Sequence, residues 1–157
     1  MSIRNTAKAI LFHNGKILVN KCVNDSGKIY YDLPGGGQNQ FETIKEALAR
    51  EVLEETGYTI SVGRFVALAE EICDNDALRK AYFDYTHRIF HIFLAYLENE
   101  KKTEVSELDW QQVDSLWVPI ESVDTLNFRP ANLTGRITSL IDGHHAQYLE
   151  CAHFVNL

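Results

Sequence analysis

The feature that most constrains this chain is a helix whose apolar stripe carries acid. Thr43-Ile44-Lys45-Glu46 has the capping-box pattern, with threonine at the N-cap and glutamate three residues on. Helix-compatible residues run to about Thr56, and Gly57 supplies the stop. At roughly 100° per residue, Ile44, Ala47, Leu48 and Val52 form the stripe that should face a core. Glu51, Glu54 and Glu55 fall along that same stripe. Like charges at this spacing repel one another, and the helix dipole disfavours anions near a C-terminus. Rules broken together at one spot point to a functional site. A hard divalent cation resolves the conflict, because Mg²⁺ binds through carboxylates, waters and substrate phosphates. Taken alone, the three glutamates also fit a solvated acidic helix end.

The loop before the helix favours the cation. Pro34-Gly35-Gly36-Gly37 lets the backbone turn sharply and approach a ligand closely. Its amides and carbonyls can meet a phosphate or a metal. A glycine run alone is usually just a turn; a strand, a glycine turn and a carboxylate-bearing helix in succession fit a phosphate-and-metal site better.

The rest of the chain sets the frame. Its 157 residues fit one domain, and 45% hydrophobic with 24% charged residues is an ordinary soluble composition. No apolar run approaches the ~20 residues of a membrane span, and the N-terminus shows no secretory signal. Cys22, Cys73 and Cys151 are scattered and odd in number, unlike a disulfide framework or a zinc site, so a cytoplasmic setting is expected. A net charge of −7 argues against a partner held by its phosphate backbone, so nucleic acid is not expected. A small phosphorylated substrate remains compatible, since cations neutralise both sides.

Asn14-Gly15 between apolar runs at 8–12 and 16–22 predicts a hairpin. A short extended piece spans 29–33, strands are expected over 59–71, 88–97 and 110–118, and a final strand over 148–155. Residues 73–78 read as a polar loop, 119–126 as a short helix and 132–141 as a longer one. Strands mixed with a few helices imply an α/β or α+β sandwich.

Gly36, Glu42, Arg50, Glu51, Val52, Glu54, Glu55, Gly57 and Tyr58 match the pattern G-x5-E-x7-R-E-U-x-E-E-x-G-U, where U is a bulky apolar residue. On this match the chain resembles the Nudix hydrolases over residues 36–58, with Tyr58 the one loose position. Asn14-Gly15-Lys16, Leu33-Pro34-Gly35-Gly36 and Trp117-Val118-Pro119 extend the likeness. The resemblance implies an α/β/α sandwich around a mixed sheet. It implies hydrolysis of a nucleoside diphosphate linked to another moiety, with Mg²⁺ or Mn²⁺. By position, Glu51, Glu54 and Glu55 look like metal-binding carboxylates, and the Gly36 carbonyl like a further ligand. Arg50 and Glu42 occupy positions that usually pair at the site. The general base is open between Glu54, Glu55 and the downstream acids Glu104 and Glu107. A nucleotide sensor built on the same fold is the alternative function, and a homodimer is compatible.

Phe41 stands where the family often has glycine, and Tyr31 where tryptophan is common. Gly35, Gly37, Tyr31 and His91 are the candidate substrate contacts. His87 and His91 share a strand face, and Tyr82, Phe83 and Tyr85 are placed either to stack on a base or to pack. Arg129 offers a cation for a phosphate, while Trp110 and Trp117 read as core. After Tyr58 the chain lacks the proline of the family's ADP-ribose type, the tyrosine of its dinucleoside-polyphosphate type and the Ser-Gln-Pro-Trp pattern of its NADH type at their usual places.

Overall fold

A computed structural model describes residues 3–156. Strand β1 (Arg4–His13) turns through Asn14 and Gly15, both at positive φ, into β2 (Lys16–Val23). That is the left-handed pair an Asn-Gly turn requires. Then follow β3 (Ile29–Asp32), helix α1 (Ile44–Thr56), β4 (Tyr58–Cys73), α2 (Asp76–Ala81), β5 (His87–Lys102), β6 (Gln112–Pro119), α3 (Ile120–Val123), α4 (Ile137–Asp142) and β7 (Gln147–Phe154).

The strands form a mixed sheet in the order β3-β2-β1-β5-β4-β7, with β6 added beside β2. β1 runs parallel to β5 and β4 parallel to β7, and the remaining pairs are antiparallel. β1 and β2 share only two register pairs at their hairpin, so β2, β3 and β6 peel away from the β1 layer and leave a cleft between. β1 is buried on both faces. Ala7, Ala9 and Leu11 pack on Leu48 and Val52 of α1. Ile10 joins Phe90, Ile92, Ile137 and Leu140 on the opposite side. Helices therefore cover both faces of the sheet, as in the α/β/α sandwich expected.

Two stretches differ from the sequence reading. The helix expected over 132–141 is split into a single 3-10 turn at Ala131–Leu133 and the short α4, because Gly135 between them takes φ +75°. The polar loop expected over 73–78 contains the start of α2, where the Asn75 side chain caps the N–H groups of Ala77 and Leu78. Trp110 is also corrected: it is 54% exposed rather than core. Trp117 is half-buried, edge-on to the Tyr58 ring.

Candidate functional site

The glycine turn is strapped to β1. The N–H groups of Ala7 and Ala9 donate to the carbonyls of Gly36 and Pro34, each at 2.9 Å. Gly35 sits at φ +130°, and a Cβ there would strike the Ala7 carbonyl. This is the one turn position where close backbone approach demands glycine.

α1 then delivers its acids to a cleft of about 530 Å³. The capping box is fully made: Thr43 Oγ1 accepts the Glu46 N–H, and the Glu46 carboxylate accepts the Thr43 N–H. Gly57 closes the helix at φ +77°. Arg50 is the hub of the acid wall. Its guanidinium donates to both oxygens of Glu42 (2.7 and 3.0 Å), to Glu51 (2.8 Å), to Glu54 (3.1 Å) and to the Gly37 carbonyl (3.0 Å). This hydrogen bonding holds the Glu42 carboxyl below its ordinary range, whereas burial raises that of Glu51 against the pull of Arg50.

Glu55 is treated differently. It is 3% exposed, and one of its oxygens accepts from the Gly35 N–H and from the Asn20 side-chain amide, both at 3.0 Å. Asn20 is held in turn by Ser115, whose hydroxyl donates to it at 2.8 Å. Burial pushes the Glu55 carboxyl up to about 8. Lys8, 2% exposed, eases that rise without bonding to Glu55. Its ammonium donates instead to Asp32 and to the Gly35 carbonyl, both at 2.8 Å.

The opposite wall is basic. Glu71, 2% exposed, accepts from two guanidiniums: Arg88, and Arg129 at 3.1 and 3.3 Å. Burial raises its carboxyl, but the two arginines outweigh that and hold it below the ordinary value.

The structure brings most of the sequence candidates to this cleft: Gly36, Gly37, Arg50, Glu51, Glu54, Glu55 and Glu107 border it. Gly35 lies just beneath, bonded to Glu55 and Lys8. Two expected contacts are corrected. Strand alternation turns Tyr30 into the cleft and Tyr31 the other way, against the core. His91 points to the other face of β5, beside Phe65 and 3.3 Å from the Asn5 side chain. Glu104 does not border the cleft. Arg129, offered from the sequence as a cation for a phosphate, does border the cleft; sequence reasoning missed Lys8, Asp32, Asn20, Ser115 and the Arg88–Glu71 pair that Arg129 joins. A lysine inside the apolar run 7–11 was the one visible signal, since lysine is almost never fully buried unless paired.

The oxygens a cation would need are here. The Glu51 carboxylate lies so close to the Gly36 backbone that a Cβ at Gly36 would overlap it. A carboxylate is the donor type a hard divalent ion takes. Among the described residues no three acidic, histidine or cysteine groups converge on one point. Arg50 gathers Glu51 and Glu54 on one guanidinium nitrogen, while the Gly35 amide and Asn20 hold Glu55 away from that pair.

Known proteins resemble this chain in sequence and in fold. A family model for the NUDIX domain matches residues 3–136. A nucleoside triphosphatase, NudI, of Enterobacter sp. (strain 638) is 31% identical over 134 residues, covering 83% of this chain and 92% of that protein. Among solved structures, a NUDIX hydrolase from Nitrosomonas europaea superposes with a TM-score of 0.70 at 15% identity, covering 98% of this chain and 81% of that one. An ADP-ribose pyrophosphatase from Streptococcus suis 89-1591 gives 0.60 at 18% identity, covering 96% and 99%. With its glycine turn, its Arg50 hub and its acid-bearing helix, this chain belongs to the Nudix family of hydrolases.

Proposed function

We propose that the protein is a Mg²⁺- or Mn²⁺-dependent pyrophosphohydrolase that cleaves a phosphoanhydride bond in a small nucleotide. The observation that carries this is the acid wall: a buried Glu55, with Glu51 and Glu54 gathered by Arg50 and Glu51 packed against Gly36. Glu51, Glu54, Glu55 and the Gly36 carbonyl would hold the cation. When bound, the cation neutralises phosphate charge and polarises water. Arg50 fixes the directions of Glu51 and Glu54 and ties them through Glu42 and Gly37 to the loop, so that little reorganisation is left for the reaction itself. Glu54 and Glu107 border the cleft and are placed to take a proton from the attacking water. The Enterobacter relative is named for nucleoside triphosphates, which contain the bond in question.

Among the described residues no helix is long and apolar enough to cross a membrane. The three cysteines are free, which fits the reducing cytoplasm.

Glu54→Gln tests the assignment. It should lower kcat by about 10²-fold or more in Mg²⁺ while circular dichroism and the thermal midpoint stay near wild type. Wild-type turnover in both Glu54→Gln and Glu55→Gln would sink the assigned roles.

A further inference from the structure

We propose that Lys8, backed by Asp32, is a positioning residue for the acid wall: it pins the Gly35 carbonyl, and through Gly35 it fixes the glycine turn against which Glu55 and Glu51 are aimed. The inference rests on the preceding reading that the acid wall holds a divalent cation, and it adds what keeps that wall in shape.

Lys8 rises from β1 between Ala7 and Ala9 and is fully buried. Burying an ammonium is expensive even when it is paired, and an apolar replacement of similar volume often packs as well. Stability alone therefore gives no reason for a lysine here. Its contacts do. The ammonium donates to Asp32 at the end of β3 and to the Gly35 carbonyl, both at 2.8 Å. It thus ties three segments together at the root of the turn.

The turn needs this strap. The N–H groups of Ala7 and Ala9 hold the carbonyls of Gly36 and Pro34, on either side of Gly35. Among the described residues no backbone N–H donates to the Gly35 carbonyl itself. The peptide it belongs to joins two glycines, the residues that resist rotation least. Rotation there changes ψ of Gly35 and φ of Gly36. It therefore bears on the Gly35 N–H that holds a Glu55 oxygen at 3.0 Å, and on the Gly36 backbone against which Glu51 packs.

A pure charge effect would have the opposite sign. As a cation near Glu55, Lys8 repels a divalent ion, so removing it should tighten metal binding. As a strap, its removal should loosen metal binding. Lys8→Met combined with Asp32→Asn separates the two, because one charge of each sign is lost and no buried charge is stranded. Leu140→Ala is the comparison. It lies in the core on the other side of β1, and it should lower stability without touching the turn.

In the metal-free protein, hydrogen exchange at the Gly35, Gly36 and Gly37 amides should quicken in the double variant beyond any rise in Leu140→Ala. The Kd for Mn²⁺, read by electron paramagnetic resonance, should rise roughly tenfold or more in the double variant and stay near wild type in Leu140→Ala. In turnover the double variant should lose roughly tenfold or more in kcat, with KM little changed. In the wild type, NMR should detect a coupling across the hydrogen bond from Lys8 Nζ to the Gly35 carbonyl carbon, and it should persist when Mg²⁺ is added. Turn amides that exchange as in Leu140→Ala, Mn²⁺ bound as tightly as by wild type or more tightly, or a Lys8–Gly35 coupling lost on adding Mg²⁺ would overturn the proposal. Mn²⁺ binding and cleavage that survive the double variant unchanged would defeat this inference alone. Quickened exchange at the turn in a protein whose wild type binds no Mn²⁺ and cleaves nothing would defeat the hydrolase reading and leave the hold of Lys8 on the turn standing.

Discussion

Glu55, which lines the cleft, and Glu71, which lies behind the cleft residues Arg88 and Arg129, are almost equally buried, at 3% and 2% exposed, yet their protonation is pushed in opposite directions. Glu71 is a finished ion cluster: Arg88 and Arg129 overcome its burial and hold it ionised. Glu55 has only neutral donors, the Gly35 amide and Asn20, and burial pushes it up to about 8. Lys8, the cation nearest to hand, is committed to Asp32. The Glu71 carboxylate is balanced by the protein's own cations, whereas the Glu55 carboxylate accepts only from neutral donors. The difference teaches that burial does not set a carboxylate's state by itself; the charge of its partners does.

The contrast can be broken from either side. Glu71→Ala should have the largest effect on stability, about 3–5 kcal/mol, because it strands two guanidiniums; urea unfolding measures it. The loss should not respond to Mg²⁺. On the acid wall, Mg²⁺ should raise the thermal midpoint of the wild-type protein and raise that of Glu55→Gln much less, since only an ionised carboxylate rewards the cation. An equal rise in both would erase the distinction between the walls.

The pH dependence sharpens the comparison. A carboxylate depressed in the fold contributes stability that is present above its unfolded pKa and lost as pH falls through its folded one. Glu71 is of this kind, so wild type should lose stability more steeply than Glu71→Gln as pH drops below roughly 4.3. Glu55 has the opposite sign. Without a cation its contribution is greatest at low pH and declines as pH rises from the unfolded value toward about 8. Matching acid limbs for wild type and Glu71→Gln in denaturation series would contradict the assignment to Glu71.

Smaller effects belong to the loop and cap that aim the acid wall. Thr43→Ala removes the capping box and should cost about 1 kcal/mol. Phe41→Gly should have the opposite sign. Phe41 is 97% exposed and held at φ +66°, a left-handed conformation that costs a side chain about 1–2 kcal/mol. Glycine there should stabilise by up to about 1 kcal/mol, net of its greater unfolded-state freedom. Thermal melts of the two variants give both signs.

The acid wall was legible in the sequence because it is local. Its turn, cap, arginine and glutamates lie within residues 36–58, at spacings fixed by one loop and one helix. The departure at Phe41 was also visible, and the positive φ explains why glycine is common at that position in the family. The basic wall could not be read, because it is assembled from β1, β3, β5 and the segment after α3. Nothing in the chain sequence sets Arg88 beside Arg129; only the β4–β5 pairing of Glu71 with Arg88, and the fold of the later loop, do so. Period-two alternation was the other trap. The family resemblance points to Tyr31, but its neighbour Tyr30 faces the cleft. The long helix expected over 132–141 failed at Gly135, a break that apolar spacing does not register.

The most direct test of the acid wall's role is a panel of nucleotide sugars, dinucleotides, nucleoside triphosphates and capped ends, incubated with Mg²⁺ and then with chelator, with every product identified. The account predicts cleavage of a phosphoanhydride bond in at least one member, abolished by the chelator and restored by added Mg²⁺ or Mn²⁺. Nucleotide binding without release of any phosphorylated product, or cleavage that persists after the metal is removed, would contradict it.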